Sequence, residues 1–438
     1  MESNIVLVKL GGCKVGYLYW DTKSGNSVFE YDPAFVRSGP DIAPLTMPLN
    51  SARSEKGLPW TGNRDKLYQG LPPMLADSLP DKWGDSVFRI WLEQRAIPAS
   101  KVTPVDRLSY IGSRGMGALE YEPAYGLGKE DFSVDVEELY LFARSILGER
   151  ADVSFPKERE LLWQDLVKIG TSAGGKRPKA LVAINRETGE IRSGQTDIAR
   201  GFEHYILKLD EATDYSSARI EYVYSQMAAR AGIKMMPCEI IDRNGTTHFL
   251  TRRFDRDGNK KIHTQTLAAL SPGVDSYEEL FGVLRTLKMP YSDAEQLYRQ
   301  MTFNVLAGNV DDHIKNFSFT MTPEGVWRLS PAYDLTFTID LSAPGYVNRQ
   351  SLTVNGKAEG ITVADMENVA RRVGISEARN IIREVEEAVG AFPALAQENA
   401  IPQTQIRSIE RALNYRREKK NAVHVAAVSL KKKRNPSL

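Results

Sequence analysis

The chain has 438 residues, 42% hydrophobic and 26% charged, with 57 Lys and Arg against 56 Asp and Glu. That length supports two or three domains with a sizeable core, and a formal net charge of +1 excludes a general polyanion binder, so any nucleic-acid contact must come from a local patch. Two cysteines, Cys13 and Cys238, lie far apart and match no metal-ligand spacing, which points to a reducing compartment. The N-terminus MESNIVLVKLGG lacks the basic and apolar regions of a signal peptide, and no apolar run reaches the length of about 18 residues that a membrane span needs. A cytoplasmic protein with no membrane partner is expected.

In chain order, residues 4–20, NIVLVKLGGCKVGYLYW, predict two strands around Gly11 and Gly12, a hairpin signal that NSVFEYDPAFV extends. The second half of residues 71–96 is helical, with Trp83, Val87, Ile90 and Trp91 on one face. RLSYIGSRGMGALEYEP returns to strand character and closes an N-terminal unit near residue 125. Residues 134–147 predict an amphipathic helix, KALVAIN a strand, RETGE a turn and HYILKLD another strand. ARIEYVYSQMAARAGI predicts a helix with Gly232 at its stop, and MMPCEIIDRNGTTHFLTRRFDR a hairpin turning at Asn244-Gly245. Helix then dominates. SDAEQLYRQMTFNVLAG opens on a capping box, Ser292 with Glu295, and 362–373, 376–389 and 403–415 add three more helices. The chain divides into an N-terminal subdomain (1–125), a β-rich lobe (126–259) and a helical lobe ending in the basic tail LKKKRNPSL (260–438).

The stretch LVKIGTSAGGKRPKALVAI, residues 167–185, contains G-x-x-x-x-G-K from Gly170 to Lys176. A Walker P-loop continues with Ser or Thr, whose hydroxyl holds magnesium, and it opens a helix. Here Arg177 and Pro178 follow, and ALVAI reads as a strand. The P-loop reading fails, yet small residues beside basic ones still suit a backbone that approaches an anion.

The chemistry concentrates in GNVDDHIKNFSF (308–319) and SPAYDLTF (330–337). Phosphoryl transfer needs one carboxylate to orient the attacking hydroxyl. It also needs an Asn and a second carboxylate to hold magnesium, a lysine against the phosphates, and a small-residue loop over them. Asp311 and Asn316 have the spacing of a kinase catalytic loop, and Asp334 follows a short strand, GVWRLS, as a metal-binding aspartate would. Upstream, Lys208 sits in the strand YILKLD, Glu221 in the next helix is a candidate partner, and LTRRFDR lies where a hinge would meet adenine. Loop, Lys, Glu, hinge, Asp, Asn, Asp is the chain order of a protein kinase. His313 reads as a structural hydrogen-bonding residue.

The stretches RLSYIGSRGMGALEYEP, GTSAGGKRPKAL, YILKLD, RRFDRDG, FNVLAGNVDDHIKNFSF and SPAYDL, in this order over residues 107–336, resemble the HipA-like serine/threonine kinases of bacterial toxin–antitoxin systems. LPPMLADSLPDKWG extends the likeness toward the N-terminus. The resemblance implies an α+β fold: a protein-kinase-like two-lobed core, with a β-rich N-lobe and a helical C-lobe, and an additional N-terminal α/β subdomain. It implies ATP and magnesium (Mg2+) as cofactors, Asp311 as catalytic base, and Asn316 and Asp334 as metal ligands in the ATP site. Lys208 would contact phosphate. Ser172, Ala173, Gly174, Gly175, Lys176 and Arg177 would form the loop over the nucleotide, and Arg252, Arg253 and Phe254 would lie at the adenine hinge. The resemblance further implies autophosphorylation at Thr171 or Ser172, and transfer to a serine of a target protein such as an aminoacyl-tRNA synthetase, which would inhibit translation and growth. The implied partner is a HipB-like helix-turn-helix antitoxin, with operator DNA reached only through that complex. The other reading is a weakly active nucleotide-binding co-repressor; the intact Asp311, Asn316 and Asp334 argue for the enzyme.

Overall fold

The computed structural model describes residues 4–55, 57–125, 132–147, 177–210, 215–340 and 348–414. Two units emerge, one from 1–214, 237–272 and 318–327, the other from 215–236, 273–317 and 328–438. In the first unit lie two five-stranded antiparallel sheets. One is ordered β4-β3-β2-β1-β5, with β1 Ile5–Leu10, β2 Cys13–Asp21, β3 Asn26–Tyr31, β4 Pro59–Thr61 and β5 Leu119–Glu122. Strands β1 and β2 meet at the expected turn, Gly11-Gly12, with both residues at positive φ (+55° and +81°). That turn's twist matches the flanking strands, and glycine takes it without a Cβ penalty. Along β2, Gly16, Leu18 and Trp20 are buried while Tyr17 and Tyr19 between them are exposed, so period-two alternation gives this part of the sheet one covered face.

Part of the expected strand RLSYIGSRGMGALEYEP is a helix. Residues Pro104–Ile111 pack on β1, β2 and β5. The β-branched and aromatic content suggests a strand, but the local capping wins. Asp106 N donates to Thr103 Oγ1 (3.2 Å), Thr103 N donates to Asp106 Oδ2 (2.8 Å), and Pro104 occupies the first turn. The strand begins only at Leu119. The Lys82–Glu93 helix buries Trp83, Val87 and Trp91 as its periodicity requires.

The second sheet is ordered β7-β6-β8-β10-β9, with β6 Lys179–Asn185, β7 Ile191–Ser193, β8 Phe202–Lys208, β9 Cys238–Arg243 and β10 Thr246–Arg252. Asn244 and Gly245 form the β9–β10 turn at φ +46° and +80°. Two short pairs follow, β11 Arg256–Asp257 with β12 Lys260–Lys261, and β13 His263–Thr266 with β14 Ser318–Met321. The expected strand at GVWRLS is β15, Trp327–Leu329.

Strand β10 leads into RRFDRDG, where Asp255 is fully buried. Its carboxylate accepts from Arg253 Nε (2.8 Å) and Nη2 (2.7 Å), Arg256 Nη1 (2.8 Å) and the Gly117 backbone N–H (2.7 Å). Arg256 also donates to the carbonyls of Gly115 and Gly117. The GSRGMG loop beside the first sheet is thereby locked to the end of the second. Burial alone would raise the Asp255 carboxyl, but the two guanidinium groups outweigh it and hold the group well below the usual carboxylate range. Burial, with the same two cations, pushes neighbouring His204 down to about 4. That imidazole is therefore neutral, and its Nδ1–H donates to the Gly194 carbonyl (3.0 Å).

Helices make up the second unit. Tyr291–Leu306 packs against Tyr277–Thr286 and Ala378–Gly390, while Ser217–Arg230 packs against Ala378–Gly390 and Phe392–Glu398. Val363–Val373 begins at a capping box of Thr362 with Asp365, and residues 403–414 are helical. The capping box expected at Ser292 does not form. The helix starts at Tyr291 after Pro290, with no side-chain cap, and the Glu295 carboxylate pairs with Arg299 one turn on (3.2 Å).

Replacing Asp255 with Ala would strand two buried guanidinium groups. The unfolding free energy should fall by about 3–5 kcal/mol. A urea-denaturation midpoint equal to the wild type's would contradict the role given to this carboxylate.

Candidate active site

The Tyr291–Leu306 helix ends at Ala307, and the chain turns at Gly308, whose φ is +69°. A Cβ there would lie 2.6 Å from the side-chain tip of Ile339, so the left-handed conformation, more than the space, selects glycine. In the following loop Asp311 points outward and Asp312 inward. Asp312 is 1% exposed. Its Oδ2 accepts from Tyr277 OH (2.7 Å) and Gln350 Nε2 (2.9 Å), and its Oδ1 from the Ser351 backbone N–H (2.7 Å). The network continues on both sides. Asn304 Nδ2 donates to Tyr277 OH (3.0 Å), Asn309 Nδ2 to Asn304 Oδ1 (3.0 Å), and Gln350 Nε2 to the Asn309 carbonyl (3.0 Å). Burial pushes the Asp312 carboxyl up to about 6, against the pull of these donors.

With Asp312 held inside, the Asp311 side chain is 64% exposed. Asn316 Nδ2 donates to the Asp311 carbonyl (2.7 Å), which fixes the amide and leaves Oδ1 as its atom for a cation. His313 Nδ1 accepts from the Lys315 backbone N–H (3.3 Å) and caps the short turn Ile314–Asn316. Its Nε2 lies 3.9 Å from Asp311 Oδ1, beyond hydrogen-bond range. His313 thus has the structural role its sequence context suggests.

The segment carrying Asp334 is stitched to this loop on both sides. Tyr333 OH donates to the Lys315 carbonyl (2.8 Å), Val310 N to Thr338 Oγ1 (2.7 Å) and Thr338 N to the Gly308 carbonyl (3.3 Å). Asp334 itself adopts φ +54°, a left-handed conformation that Asp tolerates but that still carries a cost. Asp311, Asn316 and Asp334, separate in sequence, therefore sit on two segments tied directly together. Asp334 and Asn316 carry carboxylate and amide oxygens, the donor types that hard divalent cations take. Among the described residues, no group of three or more His, Cys, Asp or Glu lies together.

In the first unit, Lys208 ends β8. Its cross-strand partners are Lys179 on β6 and Phe249 on β10, and Lys208 Nζ lies 5.5 Å from the Phe249 ring centroid. Directly opposed residues share a sheet face, so the three form one ladder, with both lysines buried. The sequence offers Lys179 only as one of the basic residues of the glycine-rich loop; pairing β6 with β8 sets it directly across from Lys208. Arg252 is half-exposed and pairs with Glu203 (3.0 Å). At Arg253 the structure shows a structural role for the side chain. Its guanidinium is wholly buried against Asp255, so that side chain holds the fold. Phe254 and Arg177 are half-buried, and Glu221 is buried in the second unit. Thr171, Ser172, Ala173, Gly174, Gly175 and Lys176 lie outside the described residues.

Asp312→Ala would leave the Tyr277 hydroxyl, the Gln350 amide and the Ser351 N–H without their acceptor. The unfolding free energy should drop by more than about 2 kcal/mol. Chemical denaturation checks this; an unchanged midpoint would remove Asp312 as the loop's anchor.

Comparison with known proteins extends this geometry. A model of the HipA N-terminal domain matches residues 6–122, and a model of the HipA-like C-terminal domain matches residues 171–392. The serine/threonine-protein kinase toxin HipA of Shewanella oneidensis is 38% identical over 358 residues, 74% of this chain and 73% of that protein. Two Sinorhizobium fredii proteins that carry kinase names, Y4mE and Y4dM, are 26% and 24% identical over 211 and 202 residues. The chain spans about half the length of each, 47% and 49%. Among solved structures, the Shewanella oneidensis HipA, HipB and operator DNA complex matches with a TM-score of 0.65 at 17% identity, covering 95% of this chain and 96% of that one; at that identity the likeness speaks for the fold. It bears out the α+β, kinase-like, two-lobed class expected from the sequence. With both of its domains matched and a relative aligned over most of its length, the chain belongs to the HipA family of serine/threonine-protein kinase toxins.

Proposed function

We propose that the protein is a serine/threonine protein kinase that transfers the γ-phosphoryl group of ATP to a serine of a target protein. One observation carries this reading: Asp311 is turned outward by a buried neighbour while Asn316 and Asp334 are fastened beside it. Asp311 then accepts the proton of the attacking hydroxyl, and the balance is simple. The hydroxyl oxygen bonds to the γ-phosphorus, the bond to the bridging oxygen breaks, and ADP leaves with the electron pair. Asp334 and Asn316 Oδ1 would hold magnesium, which supplies charge neutralisation to the phosphates when bound. Lys208 binds phosphate, and Lys179, opposite it, adds a second cation. Ser172 to Arg177 cover the nucleotide, and Arg252 and Phe254 lie at the adenine end.

The same reading assigns residues 1–125 to an accessory subdomain, 126–259 to the ATP-binding lobe and 260–438 to the catalytic lobe. The partner we assign is a helix-turn-helix antitoxin, with operator DNA reached only through it, in the cytoplasm. Family membership supports this, as does the likeness of fold to a HipA solved with HipB and operator DNA. An aminoacyl-tRNA synthetase is the target class we assign, with inhibition of translation and growth as the consequence.

Two substitutions separate the roles. Asp311→Ala should abolish phosphoryl transfer and leave ATP affinity within about threefold of wild type, because that side chain faces the hydroxyl. Asp334→Asn should lose transfer together with the magnesium dependence of ATP binding. Intact-mass kinetics and calorimetry with and without magnesium decide it; retained transfer by Asp311→Ala would take the base role from that residue.

Incubation with ATP and magnesium should also phosphorylate Thr171 or Ser172, and the product should bind ATP more weakly. The new phosphate, carrying nearly two negative charges, would compete for Lys176, Arg177 and Lys179. Phosphopeptide mapping of the wild type and of Asp311→Ala tests this. A loop free of phosphate between residues 170 and 179 in active enzyme would leave it a plain lid.

A further inference from the structure

We infer that Trp83, a residue of the N-terminal domain, is a positioning residue for the nucleotide: it caps the strand edge that presents Lys179, and thereby sets ATP affinity. The inference rests on the proposal above that Lys208 and Lys179 meet the phosphates. It starts from the hydrogen-bond pattern of an antiparallel ladder, in which bonded and non-bonded pairs alternate. Leu209 N donates to the Pro178 carbonyl (2.9 Å), so 178/209 is a bonded pair and 179/208, the next in register, is a non-bonded one. Two consequences follow. Side chains approach closest at a non-bonded pair, which brings Lys179 and Lys208 together. The backbone carbonyl of Lys179 also points away from β8, to the other edge of β6.

On that edge, β7 covers only Val182 to Ile184, and the Gly194 N–H, just past β7, takes the Leu181 carbonyl (3.1 Å). The Lys179 carbonyl lies two residues further on, where β7 no longer reaches. A buried carbonyl without a partner is costly. The partner is the indole N–H of Trp83, which donates to Lys179 O at 2.8 Å. Trp83 is 2% exposed and sits in the first turn of the Lys82–Glu93 helix. The bond joins the domain matched over 6–122 to the domain matched over 171–392, at the residue where β6 leaves the glycine-rich stretch. Without it, the 179/208 pair is the first part of the ladder to fray, and the two lysines lose their fixed spacing. The Asp255 clasp on Gly117 fixes the same N-terminal segment independently, so losing the Trp83 bond alters the strand end without releasing the domain.

The test compares two substitutions in one helix. Trp83→Phe keeps an aromatic ring and removes the N–H. Trp91→Phe is the control, because Trp91 is also buried and, among the described residues, its Nε1 has no hydrogen-bond partner. Trp83→Phe should raise the KM for magnesium-ATP about fivefold, the worth of one buried hydrogen bond, with kcat within about twofold of wild type; Trp91→Phe should change neither. In the absence of nucleotide, amide hydrogen exchange at Leu209, the neighbouring rung, should quicken in Trp83→Phe alone. An unchanged KM in Trp83→Phe, an equal rise in the control, or a fall in kcat at constant KM would overturn the inference. If Trp83→Phe does not fold, benzothienylalanine at position 83 keeps the ring shape without the N–H and gives the same readings. A wild type that neither binds nor consumes ATP would instead overturn the kinase proposal, and the exchange measurement would still decide whether Trp83 caps the strand.

Discussion

The outward Asp311 depends on the inward Asp312. A carboxylate taken out of water costs several kcal/mol unless its lone pairs are met, and here three donors from the Tyr277–Thr286 helix and the 350–351 segment converge on it. Because all three are neutral, they do not cancel the desolvation, and the carboxyl stays raised, at about 6. What the arrangement gains is orientation. A loop residue with a buried, multiply bonded side chain has one conformation, and its neighbour must then face the other way. Asn304 and Asn309 extend the same restraint into the end of the preceding helix, so the loop is held from a rigid element, as a catalytic constellation requires.

Asp255 solves the opposite problem with opposite chemistry. It too is fully buried, but two guanidinium groups surround it, and its carboxyl is held low where that of Asp312 is pushed up. Charged partners make a strong, directional clasp suited to joining the GSRGMG loop to the second sheet. Neutral donors make a network that fixes one loop without adding charge beside Asp311. The choice of partner also explains why Arg253 serves the fold: a guanidinium that balances a buried carboxylate cannot also reach solvent.

Much of this was legible in the sequence. The five-residue interval from Asp311 to Asn316 and the place of Asp334 after a short strand are readable in the sequence because they are local features, and the structure ties the two segments that carry them together. The hairpins at Gly11-Gly12 and Asn244-Gly245 were legible because positive φ restricts residue choice. What was hidden depended on distant partners. RLSYI carries strand-forming side chains, and only the Thr103–Asp106 box, which lies outside that stretch, makes it a helix. Glu295 looks like half of a capping box until Arg299 takes its carboxylate. Asp312 is indistinguishable from Asp311 until Gln350 and Ser351, nearly forty residues later, are seen to close over it. Trp83 reads as one residue of an apolar helix face and Lys179 as one basic residue of a loop; only strand register and the bond between them show that they belong together.

The central chemical proposal is that this chain moves the terminal phosphoryl group of ATP to protein. The direct measurement is transfer of radiolabel from ATP labelled at either the γ or the α phosphorus, with magnesium, to the purified chain and to proteins of a bacterial lysate. The geometry predicts protein-bound label from the γ position and none from the α position. No label from the γ position, or label arriving from the α position as a nucleotidyl group, would contradict it.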